Sequence, residues 1–222
     1  MTKIVRPKAA IAAAVLVLSA ASGMAATPGM AANAAPPGQF TSAQLSARLL
    51  RTADLPGWQG YHFVPHFPDS SNRPACLAAI DGLDSVNPPS GVTEAQAAFA
   101  RSVSGPWILQ TLRSYPGNAS AKAFSAATTT LSGCATFELY WNQPSEDATE
   151  TIQPLGSVRL GAQSWSAAIA VISSIPQAET LILVRVGKST MLLEVATADD
   201  VPMPTFAQAR AIAARATSKL GA

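Results

Sequence analysis

The pattern of apolar and polar positions becomes regular at Phe40 and predicts a short helix from there. Thr41 and Gln44 form a capping box, in which each side chain can bond the backbone N–H of the other residue. Leu45 and Leu49 follow at the spacing of one helical face, and Phe40 can pack on Leu45 as a hydrophobic staple. The folded part of the chain is therefore predicted to begin with a capped helix that buries one face.

Two more helices are predicted further along the chain. One begins at the candidate N-cap Asn118 and ends at Gly133. The other begins at a second capping box, formed by Thr205 and Gln208, and closes the chain. The residues predicted to be buried are Phe124, Ala127 and Leu131 on the first helix and Ala209, Ile212, Ala213, Ala216 and Leu220 on the second.

Between the helices, apolar runs bounded by turn residues predict strands. The turns include Gly105-Pro106 and Gly187-Lys188, and connections this short join antiparallel neighbours because parallel strands need a long crossover. The predicted fold class is α+β, with an antiparallel β-sheet of five to seven strands and helices packed on one face. The predicted strands cover residues 93–101, 107–115, 150–159, 164–173, 179–186 and 189–196.

Two stretches lack a periodic pattern. Residues 58–74 are rich in proline and aromatic side chains, which predicts an ordered loop leading to a short helix around Cys76. Residues 142–150 are polar and are predicted to separate the two halves of the domain.

The first 34 residues are predicted to be a secretory signal peptide with its cleavage region. Three basic residues precede an apolar run at residues 9–21, which is too short to span a bilayer. Small residues allow a signal peptidase to cleave after Ala25 or after Ala34. We therefore expect the mature protein to be exported.

Residues 35–39 are predicted to be a linker, and residues 40–222 the folded domain. The apolar run is not followed by a cysteine until Cys76, so a lipid anchor is not expected. A second apolar run long enough to span a membrane is also absent from the sequence. We therefore expect the protein to be secreted and released, without a transmembrane anchor.

The charge of the chain argues against a nucleic-acid partner. The whole sequence carries 15 basic and 13 acidic residues. Three of the basic residues lie in the predicted signal, which leaves a mature net charge of −1. Nucleic-acid binding and polybasic membrane docking both need clustered Lys and Arg, whereas here they are scattered singly. We expect a monomer with no nucleic-acid partner, no cofactor and no metal ion.

Cys76 and Cys134 are the two cysteines of the chain. In an exported protein a disulfide between them is the simplest interpretation, because the compartment outside the membrane is oxidising. Two free thiols and a shared metal ion are the alternatives. Metal binding is disfavoured because the sequence has no CxxC spacing.

Four segments of the sequence resemble one family. LLRTADLPGW (Leu49 to Trp58), the downstream Cys76, AFSAATTTLSGC ending in Cys134, and the hairpin LILVRVGKSTMLLEV resemble the extracellular sensor domain of mycobacterial PknH-type receptor kinases and related actinobacterial secreted proteins and lipoproteins. The resemblance implies a two-layer α+β domain with a cleft between sheet and helices that receives an unidentified extracellular ligand. It also implies a second disulfide in the kinase members, for which this chain has no cysteines. We expect ligand binding, and not transmembrane signalling, to carry over.

One motif is similar to a nucleotide-binding loop but is predicted to be a turn. Gly187-Lys188-Ser189-Thr190 spells the end of a phosphate-binding P-loop, yet Ile182 stands where the first glycine is required. Apolar strands are predicted on both sides, whereas a P-loop joins a strand to a helix. A hairpin turn is therefore predicted, and nucleotide binding is rejected.

The histidines offer the one candidate set for catalysis. His62 and His66 are the only histidines, and Asp69 lies nearby. Prolines in this stretch disfavour the helix that would place both histidines on one side of a metal, and the chain has no GxSxG elbow. We therefore expect no catalytic residues; an extracellular hydrolase using His62 or His66 is the alternative.

Aromatic side chains are the best candidates for a ligand site. Trp58, Tyr61, Tyr140 and Trp141 flank loops and are the candidate ligand-cleft residues, while Trp107 and Trp165 lie inside strand patterns and are predicted to be core. The predicted function is a secreted, non-catalytic, sensor-like module that binds a small molecule, lipid or glycan. Docking of an envelope protein on the exposed loops is a further alternative.

Overall fold

The computed structural model describes residues 38–62, 68–84, 87–103, 105–142, 147–198 and 201–221. The predicted signal peptide and most of the predicted linker lie outside these ranges, and so does His66. None of the described helices is both long enough and apolar enough to cross a membrane.

The described chain forms four α-helices and one large sheet. The helices are α1 (Ser42–Arg48), α2 (Pro74–Asp84), α3 (Ala119–Ser132) and α4 (Phe206–Gly221), and a 3₁₀ turn at Thr52–Asp54 follows α1. The strands are β1 (Gln59–Tyr61), β2 (Ser70–Ser71), β3 (Thr93–Ala100), β4 (Trp107–Ser114), β5 (Thr136–Tyr140), β6 (Ala148–Gly156), β7 (Gln163–Ile172), β8 (Gln177–Val186) and β9 (Ser189–Ala198).

All nine strands belong to one antiparallel sheet, in the order β1-β3-β4-β9-β8-β7-β6-β5-β2. The α+β class is confirmed, as are the six predicted strands, the antiparallel meander β6 to β9 and the hairpin turn at Gly187-Lys188. The predicted number of five to seven strands is wrong.

Three strands were missed because their local signals are weak. β1 and β2 are only three and two residues long and lie in the stretch predicted to be a loop. β5 begins two residues after Cys134, directly behind a predicted helix. β6 begins at Ala148, inside the polar stretch predicted to separate the halves, and it pairs with β5 on the other side of that stretch, so both sides belong to one sheet. Such short strands at or next to the sheet edges are stabilised by pairing with longer strands and not by their own composition.

Helices cover both faces of the sheet, so the prediction of helices on one face is wrong, and the domain has more than the two layers that the resemblance implies. Successive side chains of a strand point to opposite faces. On β8, Ile182 and Val184 belong to one hydrophobic core, whereas Leu181 and Leu183 belong to another. The middle of β8, from Leu181 to Val184, therefore has no polar face, because each of its faces is buried in a different core.

The first core, here called the α1/α4 core, packs α1 and α4 against β3, β4, β8 and β9. Leu45 of α1 and Ala209, Ala213 and Ala216 of α4 are fully buried in it, as the helix periodicities predict. The second, the α2/α3 core, packs α2 and α3 against β5 to β9, with Phe124 of α3 at its centre. Trp165 is buried in this second core, as predicted.

The capping predictions hold for two of the three helices. In α1, the Gln44 N–H donates to Thr41 Oγ1 at 3.2 Å, and the Thr41 N–H donates to Gln44 Oε1 at 2.8 Å. Thr205 and Gln208 make the same reciprocal pair before α4. Asn118 occupies the N-cap position of α3, but its side chain makes no capping hydrogen bond, so this part of the prediction is wrong.

A disulfide joins Cys76 in α2 to Cys134, two residues after the end of α3, with a Cα–Cα distance of 5.8 Å. Both cysteines are buried in the α2/α3 core. The bond closes a loop with a sequence separation of 58 residues. The disulfide therefore links α2 covalently to the segment that follows α3.

Removing this bond should lower stability substantially. For a loop of this length, the chain-entropy model gives about 4 kcal/mol. We expect the Cys76→Ala/Cys134→Ala variant to melt about 10 °C below the wild type in a calorimetric scan. Dithiothreitol should lower the melting temperature of the wild type and leave that of the variant unchanged. Equal melting temperatures of the wild type and the variant, both measured without dithiothreitol, would contradict a structural role for the bond.

Polar contacts fix the segment that follows α1. The buried side chain of Gln110 accepts the backbone N–H of Leu50 at 2.8 Å. The Asp54 carboxylate accepts the N–H of Arg51 at 2.8 Å and forms an ion pair with Lys219 near the end of α4. The Lys219 ammonium, followed by the Arg51 N–H, lowers the pKa of Asp54. This segment is therefore tied both to the sheet and to the last turn of α4.

The Asp54 pair should contribute to stability in a pH-dependent way. A carboxyl with a lowered pKa in the folded state stabilises the fold above its unfolded pKa of about 4 and loses that contribution as the pH falls through the folded value. We expect Asp54→Asn to lower the free energy of unfolding by about 0.5–1 kcal/mol at pH 6, as for a partly exposed ion pair. The difference from wild type should shrink toward zero in urea titrations as the pH falls through the folded-state pKa. A constant difference at every pH would contradict this account.

Candidate functional site

One face of the sheet carries a cavity of about 230 Å³. The described residues that line it belong to β1, β3, β4, β8 and β9. This is the face that carries the α2/α3 core, but none of the described lining residues comes from a helix. Within the described residues, the cavity is therefore lined by the sheet alone, whereas the resemblance implies a cleft between sheet and helices.

The sheet register arranges the lining residues in two neighbouring rows. In the first row, Trp107 of β4 is opposite Ala196 of β9, which in turn is opposite Glu179 of β8. In the second row, Leu109 of β4 stands between Ala98 of β3 and Glu194 of β9. Each row thus combines small or apolar side chains with one carboxylate.

Tyr61 adds a second aromatic ring to the cavity. It is the last residue of β1 and is opposite Ala98, so it extends the row that contains Glu194. The Tyr61 side chain is 40% exposed, whereas Trp107 is half-buried. One row therefore contains the Trp107 indole and Glu179, and the other contains the Tyr61 phenol and Glu194.

Gly105 sets the position of the Trp107 ring. Its φ is +98°, in the region that favours glycine, and a Cβ at this position would lie 3.2 Å from the indole ring. The turn is also held by Ser102, whose hydroxyl donates to the Gly105 carbonyl at 2.7 Å. The indole ring therefore packs directly on the backbone of the β3–β4 turn.

The indole nitrogen of Trp107 is a buried hydrogen-bond donor with no described acceptor. Nε1 is buried and makes no hydrogen bond with any residue that the structure describes. Leaving a buried donor unsatisfied costs about 1–3 kcal/mol, so such groups often mark positions where a ligand or water binds.

A buried ion pair lies further along the same face. The Arg113 guanidinium of β4 donates to Glu94 of β3 at 2.6 Å and also to the carbonyl of Gly82 in α2. The two charged side chains are only 5% and 9% exposed. Because a buried charge needs its partners, this pair fixes the C-terminal half of α2 against β3 and β4. The pair lies at the opposite end of β4 from Trp107.

The structure does not bring the four predicted cleft residues together. Tyr61 lines the cavity. Trp58 is 7% exposed in the α1/α4 core, on the opposite face, with the Arg101 guanidinium 5.0 Å from its ring centre. Tyr140 and Trp141 lie at the end of β5, near the other edge of the sheet. Only one of the four is therefore positioned to contact a ligand in this cavity.

Trp58 also borders a shallower groove on its own face. This groove has a volume of about 200 Å³ and lies between the Leu55-Pro56 turn and α4. Arg101 and Arg215 flank it. Both arginine residues are exposed, and the groove is more open than the cavity at Trp107.

The residues of the predicted hydrolase set do not form a catalytic arrangement in the described chain. His62 is exposed directly after β1, and His66 lies outside the described residues. The Asp69 carboxylate accepts the backbone N–H of Asn142 at 2.7 Å, which ties it to the end of β5. Within the described ranges, no group of three or more potential ligands could hold a metal ion.

Sequence reasoning missed Trp107, Glu179 and Glu194 as site residues. Trp107 was predicted to be core because it starts an apolar strand. The two glutamates carried a usable signal: in the period-two pattern of β8, Glu179 shares a face with Leu181, and in that of β9, Glu194 shares a face with Leu192. An acidic residue next to a buried leucine on the same strand face indicates a special environment.

Comparison with known proteins identifies the fold but no sequence family. No family model and no curated protein matches the sequence. The extracellular domain of PknH from Mycobacterium tuberculosis superposes with a TM-score of 0.63 at 16% identity, covering 82% of this chain and 97% of that domain. An uncharacterised protein from Mycobacterium smegmatis aligns at a TM-score of 0.43 and 12% identity, over 82% of this chain and 95% of its own. The chain has the PknH-like sensor-domain fold, as the resemblance predicts.

Gly105→Ala should displace the Trp107 ring from the cavity. Gly57 is a matched control, because its φ is +82° but a Cβ there would have no neighbour within 4 Å. We expect Gly57→Ala to destabilise by about 1 kcal/mol, from backbone strain alone, and Gly105→Ala by about 2–3 kcal/mol. Acrylamide quenching of tryptophan fluorescence should increase only in Gly105→Ala. Equal losses of stability and equal quenching in the two variants would show that the contact between Gly105 and the indole ring does not position the ring.

Proposed function

We propose that this protein is a secreted, non-catalytic, sensor-like module that binds a small extracellular ligand in the cavity beside Trp107. The observation that supports this proposal most directly is the composition of the cavity: two aromatic rings, small apolar side chains and two carboxylates on one sheet face. Ligand sites of proteins have this character, with an apolar lining and a few convergent polar groups.

The rigidity of the lining supports the proposal. β4, β9 and β8 pair along their whole lengths, and the opposite face of these strands is covered by α1 and α4. The cavity floor is therefore pre-organised, which reduces the entropy lost when a ligand binds. The unsatisfied Trp107 Nε1 offers one directional contact that a ligand acceptor could complete.

The fold is in agreement with an extracellular role. A solved structure with the same fold, that of PknH, is an extracellular domain. The Cys76–Cys134 disulfide fits the oxidising surroundings that an exported protein meets. Together with the secretory pattern of the first 34 residues, these features support export of the domain, and the ligand would then be met outside the cell.

No described arrangement favours the hydrolase alternative. His62 is absent from the described lining of the cavity, and the nearby Asp69 carboxylate is engaged with the backbone of Asn142. The aromatic and carboxylate groups of the cavity are instead suited to holding a ligand in place.

Two tyrosines of equal exposure allow a direct test. Tyr61 and Tyr140 are 40% and 39% exposed, but only Tyr61 lines the cavity. We expect protein purified from the culture medium of its own host to carry a small molecule in native mass spectra. Tyr61→Ala should reduce the occupied fraction at least about tenfold, as loss of an aromatic anchor does, while Tyr140→Ala should retain it.

Signal cleavage can be read from the same spectra, because the mass reports whether the chain begins after residue 25 or after residue 34. A chain that retains residue 1 and remains inside the cell would contradict the proposed secretion. An empty protein in every preparation, or equal loss of ligand in both tyrosine variants, would contradict binding at this cavity.

A further inference from the structure

We infer that the groove beside Trp58 is a second binding site, for a small organic anion that carries a carboxylate or phosphate group on a ring-sized apolar body. The groove lies beside the α1/α4 core and not at the Trp107 cavity, so the inference goes beyond the proposed function. Among the described residues that line the groove, two are basic, Arg101 and Arg215, and none is acidic. The charge of this lining favours an anion.

The Arg101 guanidinium is held over the Trp58 ring. Gln59 of β1 is opposite Ala100 of β3. Trp58 and Arg101 are therefore the next pair outward in this register, and the guanidinium carbon lies 5.0 Å from the ring centre. The backbone N–H of Arg101 also donates to the Pro106 carbonyl at 3.1 Å. A guanidinium stacked on an aromatic face keeps the N–H groups at its edge available for an oxyanion.

The second guanidinium belongs to α4, on the other side of the groove. Arg215 shares one helical face with the lining residues Gln208, Ala211 and Ile212, because their positions are three, four and seven residues apart. One Arg215 N–H donates to the backbone carbonyl of Asp54. A guanidinium has five N–H donors, so this contact orients the side chain and leaves the other donors for a ligand.

The carboxylate of Asp54 does not cancel the charge of these arginine side chains. Asp54 directly precedes the groove residues Leu55 and Pro56 in the chain. Its carboxylate forms an ion pair with Lys219 and accepts the backbone N–H of Arg51 at 2.8 Å. The negative charge next to the groove is therefore balanced by a cation outside the lining, and an incoming anion meets two further positive charges.

The rest of the lining is largely apolar and suits the body of the ligand. The apolar lining residues are Leu55, Pro56, Trp58, Pro204, Ala211 and Ile212. The volume of about 200 Å³ is smaller than the roughly 300–1,000 Å³ of sites for drug-sized ligands, so a single ring with its acid group is the appropriate size. Because the groove is open, the acid group can bind the guanidinium groups and remain partly hydrated.

Four probes that share a phenyl ring separate charge from shape. Phenylacetate and phenyl phosphate are anions, benzyl alcohol is neutral and benzylammonium is a cation. In NMR titrations of the mature ¹⁵N-labelled domain, we expect both anions to move the Nε–H signals of Arg101 and Arg215, with a Kd of about 1 mM or tighter for ligands of about ten non-hydrogen atoms. Benzyl alcohol should bind at least about tenfold more weakly, because it lacks the charge-assisted hydrogen bonds, and benzylammonium should not move these signals. The order of the two anions identifies the acid group that the site prefers.

The matched variants are Arg101→Gln/Arg215→Gln and Arg210→Gln. Arg210 is also an exposed arginine of α4, but it is not among the described lining residues of the groove and donates to the Val158 carbonyl at 3.3 Å. We expect the double variant to lose at least about tenfold in affinity for both anions, read from the backbone N–H signal of Ile212. Arg210→Gln should bind both anions like the wild type.

A third variant tests the site without removing its charges, in case the double variant is unstable. Ala211→Phe fills the groove from an exposed position and leaves both arginine side chains in place, so it should abolish binding of both anions. Benzyl alcohol binding as tightly as the anions, or equal losses in the double variant and in Arg210→Gln, would overturn the inference. It would also be overturned if about 10 mM of either anion left the Arg101 and Arg215 signals in place. None of these outcomes bears on the ligand of the Trp107 cavity, which Tyr61→Ala tests separately.

Discussion

The two-sided burial of β8 is the constraint on which the rest of the structure depends. Ile182 and Val184 face the α1/α4 core, and Leu181 and Leu183 face the α2/α3 core. A strand without a polar face is stable only when both faces are covered, so it requires a helix pair on each side of the sheet. The sequence meets this requirement with the capped helices α1 and α4 on one face and with the disulfide-linked helices α2 and α3 on the other. α2 and α3 pack on only part of their face of the sheet. The cavity lies on another part of that face, near Trp107, where its described lining comes from strands.

The polar residues of the cavity follow from the same alternation. Leu181 of β8 and Leu192 of β9 are buried in the α2/α3 core. The next residues on the same face, toward the cavity, are Glu179 on β8 and Glu194 on β9. These glutamates are fixed by a fully paired antiparallel ladder, so their spacing is set by the sheet and not by a loop. The Arg113–Glu94 pair lies at the opposite end of β4 from Trp107 and contacts α2 there. The paired strands thus hold the polar residues of the cavity in fixed positions on one part of the sheet.

Much of the fold could be predicted from local signals, whereas the site depended on long-range pairing. Capping boxes and period-two patterns located α1, α4 and six strands, because these signals lie within a few residues of each other. The layering could not be predicted, since nothing in an apolar run such as that of β8 says whether one or two helix pairs cover it. The candidate residues Trp58 and Tyr61 are only three positions apart, yet the chain leads Trp58 into the α1/α4 core and Tyr61 to the cavity on the opposite face. Tyr140 and Trp141 flank a loop, as binding residues often do, but β5 pairs close to the far edge of the sheet.

Nuclear magnetic resonance of the indole N–H groups tests the central claim, that ligand binds on the sheet face beside Trp107. The mature domain, labelled with ¹⁵N, would be stripped of bound small molecules by partial denaturation, refolded with its disulfide intact and titrated with an extract of its host's culture medium. The chain has four tryptophans, and single substitutions assign their signals. We expect the Trp107 Nε1–H resonance to move, because this buried donor gains an acceptor, while that of Trp165 in the α2/α3 core stays in place. Movement of the Trp58 or Trp141 signal with Trp107 unaffected would contradict the account.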